Sequence, residues 1–413
     1  MTSCERVLAA LAHTEGDRVP VDFGGTFVSS IHVSVVSALR DHYGLEKKLV
    51  KVTDPGQMLG EIEEDLKQAL GADTESVIRR NTRYGFPAED WKPWRMPDGL
   101  EVLVPGRFNV TRGSEGEILM HPGGDTSAPA SAVMPSDGYF FDNIERQQEI
   151  DEDKLDPRDN LVDFQPISDD ELAFLEDKAR RARATGRLVI GSFGGTALGD
   201  VSHIPGPALI HPRGIRSVTE WYMSTRMRRD YVHAVFDGQS AVGLANIQRI
   251  AARFGDAIDV INLCGTDFGT QKSTFCSVDT FNELWVPYYK RLTSWIHSNT
   301  SWRVFKHSCG AVEKLIPSLL EAGFDILNPV QCSAAGMEPE KLKEKYGRDV
   351  VFWGGGVDTQ STLPFGTPEQ VREQVKRRVE IFSKGGGFVF NTVHNVQAGT
   401  PVANFVAMVE ALR

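Results

Sequence analysis

His307 and Cys309 stand two residues apart in Arg303-Val304-Phe305-Lys306-His307-Ser308-Cys309-Gly310-Ala311-Val312. A short run of strand formers ends at the histidine, so both side chains project to one side of an extended segment and can share a metal ion. A third ligand could come from Cys332 at the next strand end or from His394 near the last. Three imidazole or thiolate ligands with one open position describe catalytic zinc, which activates a thiol or water by lowering its pKa. The same residues also admit a plainer reading, in which Cys309 packs as a small hydrophobe and His307 bonds a backbone carbonyl.

Other polar residues gather at comparable points. Asp267, in Gly265-Thr266-Asp267-Phe268-Gly269-Thr270-Gln271, could act as a general base or orient a substrate amine or hydroxyl, or it could merely cap the next helix. Asp22, Ser192, Gln271, Gln331, Asp358, His394 and Gln397 complete the set, with His394 beside Asp267 as acid–base candidates and Asp22, Gln271, Gln331, Asp358 and Gln397 as substrate contacts. Gly354-Gly355-Gly356 follows a strand, where backbone can approach a ligand closely, whereas Gly385-Gly386-Gly387 precedes its strand and reads as a helix stop. Neither run matches a phosphate-binding loop.

These residues do chemistry together only if the fold brings strand ends together, and the alternation of elements says that it does. After residue 168 short β-rich runs alternate with helical patterns: helix 169–185, strand 187–193 followed by Gly194-Gly195, helices 214–228 and 231–253, strand 259–264, helix 278–298, strand 303–307, helix 311–322, strand 324–330, helix 338–346, strand 349–354, helix 367–383, strand 387–391 and helix 401–412. Earlier, a helix over 3–15 precedes a first strand at Val19–Phe23, helical patterns lie at 31–44 and 57–70, and a second strand lies at 74–79. Eight strands in strict alternation predict a (β/α)8 TIM barrel, with a doubly wound open sheet as the other arrangement of the same elements. Active sites of such barrels form at the C-terminal ends of the strands.

One region breaks the rhythm. Residues 84–141 show short alternating runs cut by Gly and Pro, the pattern of antiparallel hairpins inserted as a lid or wall, or as an embellishment, within a single domain spanning 1–413. The acidic stretch 149–170 reads as a solvated connection.

Composition narrows the partners. A formal net charge of −11 argues against nucleic acid and anionic membranes, which reward basic surfaces. The start, Met1-Thr2-Ser3-Cys4-Glu5-Arg6, lacks a basic n-region and apolar h-region, and no run is long and apolar enough to span a bilayer, so a soluble cytoplasmic protein is expected. Five scattered cysteines fit a reducing compartment and leave their thiols available. A homodimer is the default oligomer.

In several of these segments the chain resembles the uroporphyrinogen decarboxylase superfamily, which includes corrinoid- and coenzyme M-linked methyltransferases. The carrying residues are Arg18-Val19-Pro20-Val21, Asp267 within Gly-Thr-Asp-Phe-Gly-Thr-Gln, His307-Ser308-Cys309-Gly310, Gly323 to Gln331, Gly354 to Asp358, and His394-Asn395-Val396-Gln397 with Pro401 and Asn404. The resemblance implies a (β/α)8 barrel. The decarboxylases carry an arginine-rich segment after the first strand to receive substrate carboxylates, and here Asp22-Phe23-Gly24-Gly25-Thr26 takes that place. The zinc methyltransferases use His-x-Cys with a later Cys, where this chain has His394, and zinc accepts imidazole in place of thiolate. What the resemblance implies is therefore metal-assisted methyl transfer between a small methylated substrate, or a thiol or folate acceptor, and a corrinoid (cobalamin) cofactor or a corrinoid partner protein. The alternatives are a metal-independent decarboxylase or lyase acting on a small carboxylated compound, and a non-enzymatic binding protein.

Overall fold

The computed structural model describes residues 1–193 and 196–413, so Gly194-Gly195, expected behind the third strand, lies outside the described residues. Seven parallel strands form one curled sheet, in chain order Thr74–Ile78, Leu188–Ser192, Val260–Cys264, Arg303–His307, Ile326–Asn328, Val351–Trp353 and Phe388–Val389, each paired with the one before it. They are the second to eighth strands of a TIM-barrel-like fold. The first position is filled by Pro20 to Asp22, where Val21 forms a single parallel bridge with Phe390. Around it Asp22 N donates to Phe390 O at 2.8 Å, Phe390 N to Pro20 O at 2.8 Å and Asp73 N to Val21 O at 2.8 Å, so this segment links the eighth strand to the second.

The full strand expected at Val19–Phe23 is thus shortened to one bridge. Pro20 has no N–H to give a ladder, the Val21 N–H is taken by the Asp73 carboxylate at 2.9 Å, and Gly24 turns the chain at φ +88°. The helical pattern expected over 57–70 also divides. Leu59–Gly60 pairs antiparallel with Val52–Asp54, and only Glu64–Leu70 is helical. Over 278–298 there are two helices, Val278–Leu284 and Val286–Asn299, meeting at Trp285. Pro287 lacks the N–H that would continue the first into the second.

Strand alternation sorts the core. Leu188, Ile190, Val260, Phe305, Ile326, Val351, Trp353 and Val389 fill the barrel interior together with Val7, Ala10 and Leu11 of helix Ser3–Leu11. Intervening residues such as Val189, Ile261, Val304 and Phe352 join the larger core between sheet and helices. On the fifth strand this period of two sends Phe305 and His307 inward, and Val304 and Lys306 outward.

The hairpins appear where expected. Lys92–Arg95 pairs with Glu101–Val104, and Val110–Arg112, Ile118–Met120, Ala132–Met134 and Asp142–Asn143 form a four-stranded antiparallel sheet. Their buried Val102, Val104, Phe108, Met120 and Met134 belong to the larger core. The stretch 149–170 is more than a solvated connection: Asn160 is buried, accepting from Ile215 N and donating to Ile215 O, both at 2.8 Å. Among the described residues no helix is long and apolar enough to cross a membrane.

Candidate active site

His307 ends the fifth strand, Cys309 lies in the turn after it, and His394 follows the eighth strand. One ligand atom from each lies within 4.8 Å of the others. His307 Nε2 is 3.5 Å from Cys309 Sγ, and the two imidazole ring centroids are 5.4 Å apart. Two ligands on one tetrahedral zinc, at about 2.1 and 2.3 Å, are about 3.5 Å apart. The donor set, and the spacing of the His307–Cys309 pair, fit a zinc-type ion, with His394 within 4.8 Å as the third ligand.

The surroundings aim these atoms. Asn328 Nδ2 donates to Trp353 O at 2.9 Å, which turns its Oδ1 toward His307 Nδ1 at 2.7 Å. An acceptor there requires Nδ1 to carry the proton, leaving Nε2 with its lone pair toward Cys309. The turn is sewn down from three sides: Asp267 Oδ1 accepts Cys309 N at 2.7 Å, Gln331 Oε1 accepts Gly310 N at 2.8 Å, and Ser308 Oγ accepts Phe268 N at 3.0 Å. Gly310 sits at φ +87°, and a Cβ there would lie 2.7 Å from Thr270 O, so the fourth-strand loop and this turn approach as closely as only glycine allows.

Electrostatics suit metal ligation. Burial pushes the His307 pKa down to about 4, and burial together with the His307 charge does the same to His394. Both imidazoles are neutral near pH 7. Burial, and then the Asp267 charge, push the Cys309 thiol well up; an ion there would compete for that proton. Burial also raises Asp267, whose Oδ1 is 3.7 Å from His307 Nε2.

The other expected residues separate into two groups. Gln331 is buried and Gln271 exposed, and both reach Gln360 Oε1, at 3.5 and 3.3 Å. Cys332 is not among the converging ligands; its thiol turns to Val330 O at 3.4 Å. Asp22 is wholly enclosed, accepting from Thr74 Oγ1 at 2.7 Å, Trp353 Nε1 at 2.8 Å and Gly25 N at 2.8 Å. It ties the first, second and seventh strands together and faces no ligand space. Asp358 caps its own turn through Gln360 N and Ser361 N. Gln397 is half-buried, and its carbonyl accepts from Thr400. Ser192 is buried and accepts from Asn262 Nδ2 at 3.3 Å.

Reading by residue type missed Asn328, Lys306, Asp200 and Arg83. Burial alone would raise Asp200, yet His203, with Nδ1 3.8 Å away, and bonds from Ser202 N and Oγ hold it at about 2, and its charge acts on His307, Cys309 and Asp267. Arg83 follows the second strand, donates to Asp54 at 3.2 Å and lends its charge to the environment of His394. An Asn inside an otherwise apolar strand was the one available signal for Asn328, and a Lys inside another was the signal for Lys306.

Residues 211–413 match the family model of uroporphyrinogen decarboxylase (URO-D). Over this stretch, just under half of the chain, the sequence is similar to the URO-D family. The stretch contains the fourth to eighth strands and all three converging ligands, so the URO-D segment by itself supplies the candidate site. No curated protein matches the chain by sequence. Among solved structures, a methyltransferase from Methanosarcina mazei is similar over 100% of this chain and 98% of its own, at 14% identity and a TM-score of 0.54. That likeness extends the common fold across the N-terminal half. Endo-glycoceramidase II from Rhodococcus sp. covers 55% of this chain and 60% of its own at 11% identity and a TM-score of 0.32, too low to bear on fold or function.

Proposed function

We propose that the protein is a methyltransferase in which a zinc ion, held by His307, Cys309 and His394, assists methyl transfer between a small methylated substrate, or a thiol or folate acceptor, and a corrinoid on a partner protein. The observation that carries this reading is the convergence of the three ligand atoms within 4.8 Å at the C-terminal mouth of the barrel. The similarity of residues 211–413 to URO-D and the whole-chain likeness to a methyltransferase support the activity class. Bound there, zinc would supply Lewis acidity, lowering the pKa of a thiol or water or polarising a methoxy or methylthio group. The chain's own residues do the rest. Asn328 keeps His307 in the tautomer that presents Nε2. Asp267 fixes the Cys309 backbone and stands 3.7 Å from His307, placed to hold a substrate proton. Gln271 and Gln331, both reaching Gln360, are placed to orient the substrate.

Metal analysis tests the first step. Protein purified from zinc-supplemented cells should carry about one zinc per chain, and Cys309→Ala and His307→Ala should each lose at least nine-tenths of it, since losing one of three protein ligands leaves too few to hold the ion. Metal content unchanged in both variants removes the zinc. Activity on a carboxylated compound that persists in chelator and falls in Asp267→Asn would instead identify the metal-independent decarboxylase or lyase, with Asp267 and His394 as its acid–base pair.

A further inference from the structure

Lys306 occupies an outward position of the fifth strand, between sheet and helices, where the neighbouring outward residue is Val304. It has no exposed surface. Leu319, Phe324 and Leu327 line the space around it, and an apolar side chain there would avoid the cost of burying an ammonium. Among the described residues no carboxylate lies within ion-pair distance of its Nζ. Instead Nζ donates to Thr266 O at 2.6 Å and His307 O at 2.5 Å, and stands over the rings of Phe268 at 5.1 Å and Tyr289 at 5.9 Å. Two carbonyl oxygens and two π-faces are all electron-rich partners, the surroundings of a cation.

The two carbonyls belong to the segments that make the site. The ladder between the fourth and fifth strands slips register between Asn262 and Cys264, and its last partners are Cys264 and Lys306. Beyond that point ladder bonds no longer align Thr266 with His307. Such irregularities at strand ends re-aim side chains. Lys306 bridges the gap, and immediately past it Asp267 meets the Cys309 amide.

We propose that Lys306 is a positioning residue of the metal centre: by tying Thr266 O to His307 O across the slipped register it holds Asp267, His307 and Cys309 in the arrangement that accepts the ion. This inference rests on the zinc reading above, and the experiment separates the two. Zinc affinity of the full chain is measured by competition with a chromophoric chelator, and the site geometry by the electronic spectrum of the cobalt(II)-loaded protein, for wild type, Lys306→Met and Lys306→Arg. Lys306→Met should keep its circular dichroism and cooperative melt, bind zinc 10- to 100-fold more weakly, as loss of a partner behind a metal ligand does, and shift the cobalt bands. Lys306→Arg should recover part of the affinity.

Unchanged affinity and spectrum in Lys306→Met overturn the proposal while leaving the zinc reading intact. A wild type that takes up no metal overturns the zinc reading. In that case hydrogen exchange of the 303–312 segment decides for Lys306: exchange at least tenfold faster in Lys306→Met supports positioning, and equal exchange overturns it. Should Lys306→Met fail to fold, Lys306→Leu, which likewise removes the donor but suits the apolar surroundings, is read in the same assays and by the same criteria.

Discussion

The barrel is closed by different means on its two sides. From the fourth strand to the eighth, each strand pairs with the last through parallel ladder bonds backed by the apolar core, with Lys306 bridging the one register slip. On the N-terminal side the first position is a single bridge, and closure depends on a buried charge. Asp73, with no exposed surface, meets Arg6 Nη1 at 2.6 Å and Arg18 Nη1 at 2.8 Å, and accepts the Val21 N–H at 2.9 Å. Its own backbone bonds Val21 on one side and Leu188 on the other. The side that carries the site is held mainly by pairing and packing; its comparable carboxylate, Asp325, accepts the Val304 N–H at 2.7 Å but stays partly exposed. The side without it is held by a charge cluster near the start of the second strand.

The largest effect should come from attacking that cluster. Asp73→Ala removes the buried carboxylate from Arg18 and from Arg6, which keeps only the exposed Asp17, and leaves the Val21 N–H without an acceptor. Breaking a buried pair by removing one partner costs about 3 to 5 kcal/mol, read as a lowered midpoint in urea unfolding. Zinc binding under native conditions should survive, because the ligands stand on the other arc. A variant as stable as wild type would mean that Val21 and Phe390 close the barrel unaided.

Asn328→Leu probes the other arc on a smaller scale. It removes the acceptor at His307 Nδ1 and the donor to Trp353 O, leaving two buried neutral groups unsatisfied, each at about 1 to 3 kcal/mol and less where the site relaxes or admits water. The sharper readout is functional. Without Asn328 Oδ1 the imidazole is free to place its proton on Nε2, so zinc affinity should fall 10- to 100-fold, and the ¹⁵N shifts of His307 should report a mixture of tautomers. Asn328→Asp, which keeps an acceptor, should retain more affinity than Asn328→Leu. Equal affinity in all three proteins would show that the ring is oriented by something else.

The same contrast explains what could be read from residues alone. Buried parallel strands appear as uninterrupted runs such as Leu188-Val189-Ile190, so the C-terminal alternation was legible, as were His307, Cys309 and His394 as ligand types at strand exits. The first strand was legible in composition only, because the pairing of Val21 is decided by a carboxylate fifty-two positions away. The 57–70 pattern looked helical because Leu59 and Gly60 carry no sign of their partners at 52–54. Asp22 looked like a substrate contact because position along a strand does not reveal that Thr74 and Trp353 enclose it. Lys306 and Asn328 act through neighbours on other strands, and only the register of those strands brings them together.

The hairpin region supplies the smallest test. Trp94 on the first hairpin is half-buried and meets Phe108 edge-on, with ring centroids 5.1 Å apart. Its indole covers apolar surface of the insertion, well separated in the chain from the triad. An aromatic pair contributes about 0.5 to 1.5 kcal/mol beyond its buried area, and part of this side chain is already in water, so Trp94→Ala should cost about 1 to 2 kcal/mol, less than Asp73→Ala. Because Phe108, Val102 and Val104 join the larger core, the loss should appear within one cooperative unfolding transition. Zinc content should be unchanged. A separate early transition in the variant, seen by tryptophan fluorescence but not by far-UV circular dichroism at the main midpoint, would mean that the hairpins unfold as a unit of their own and that the continuity of the core across the insertion carries little free energy.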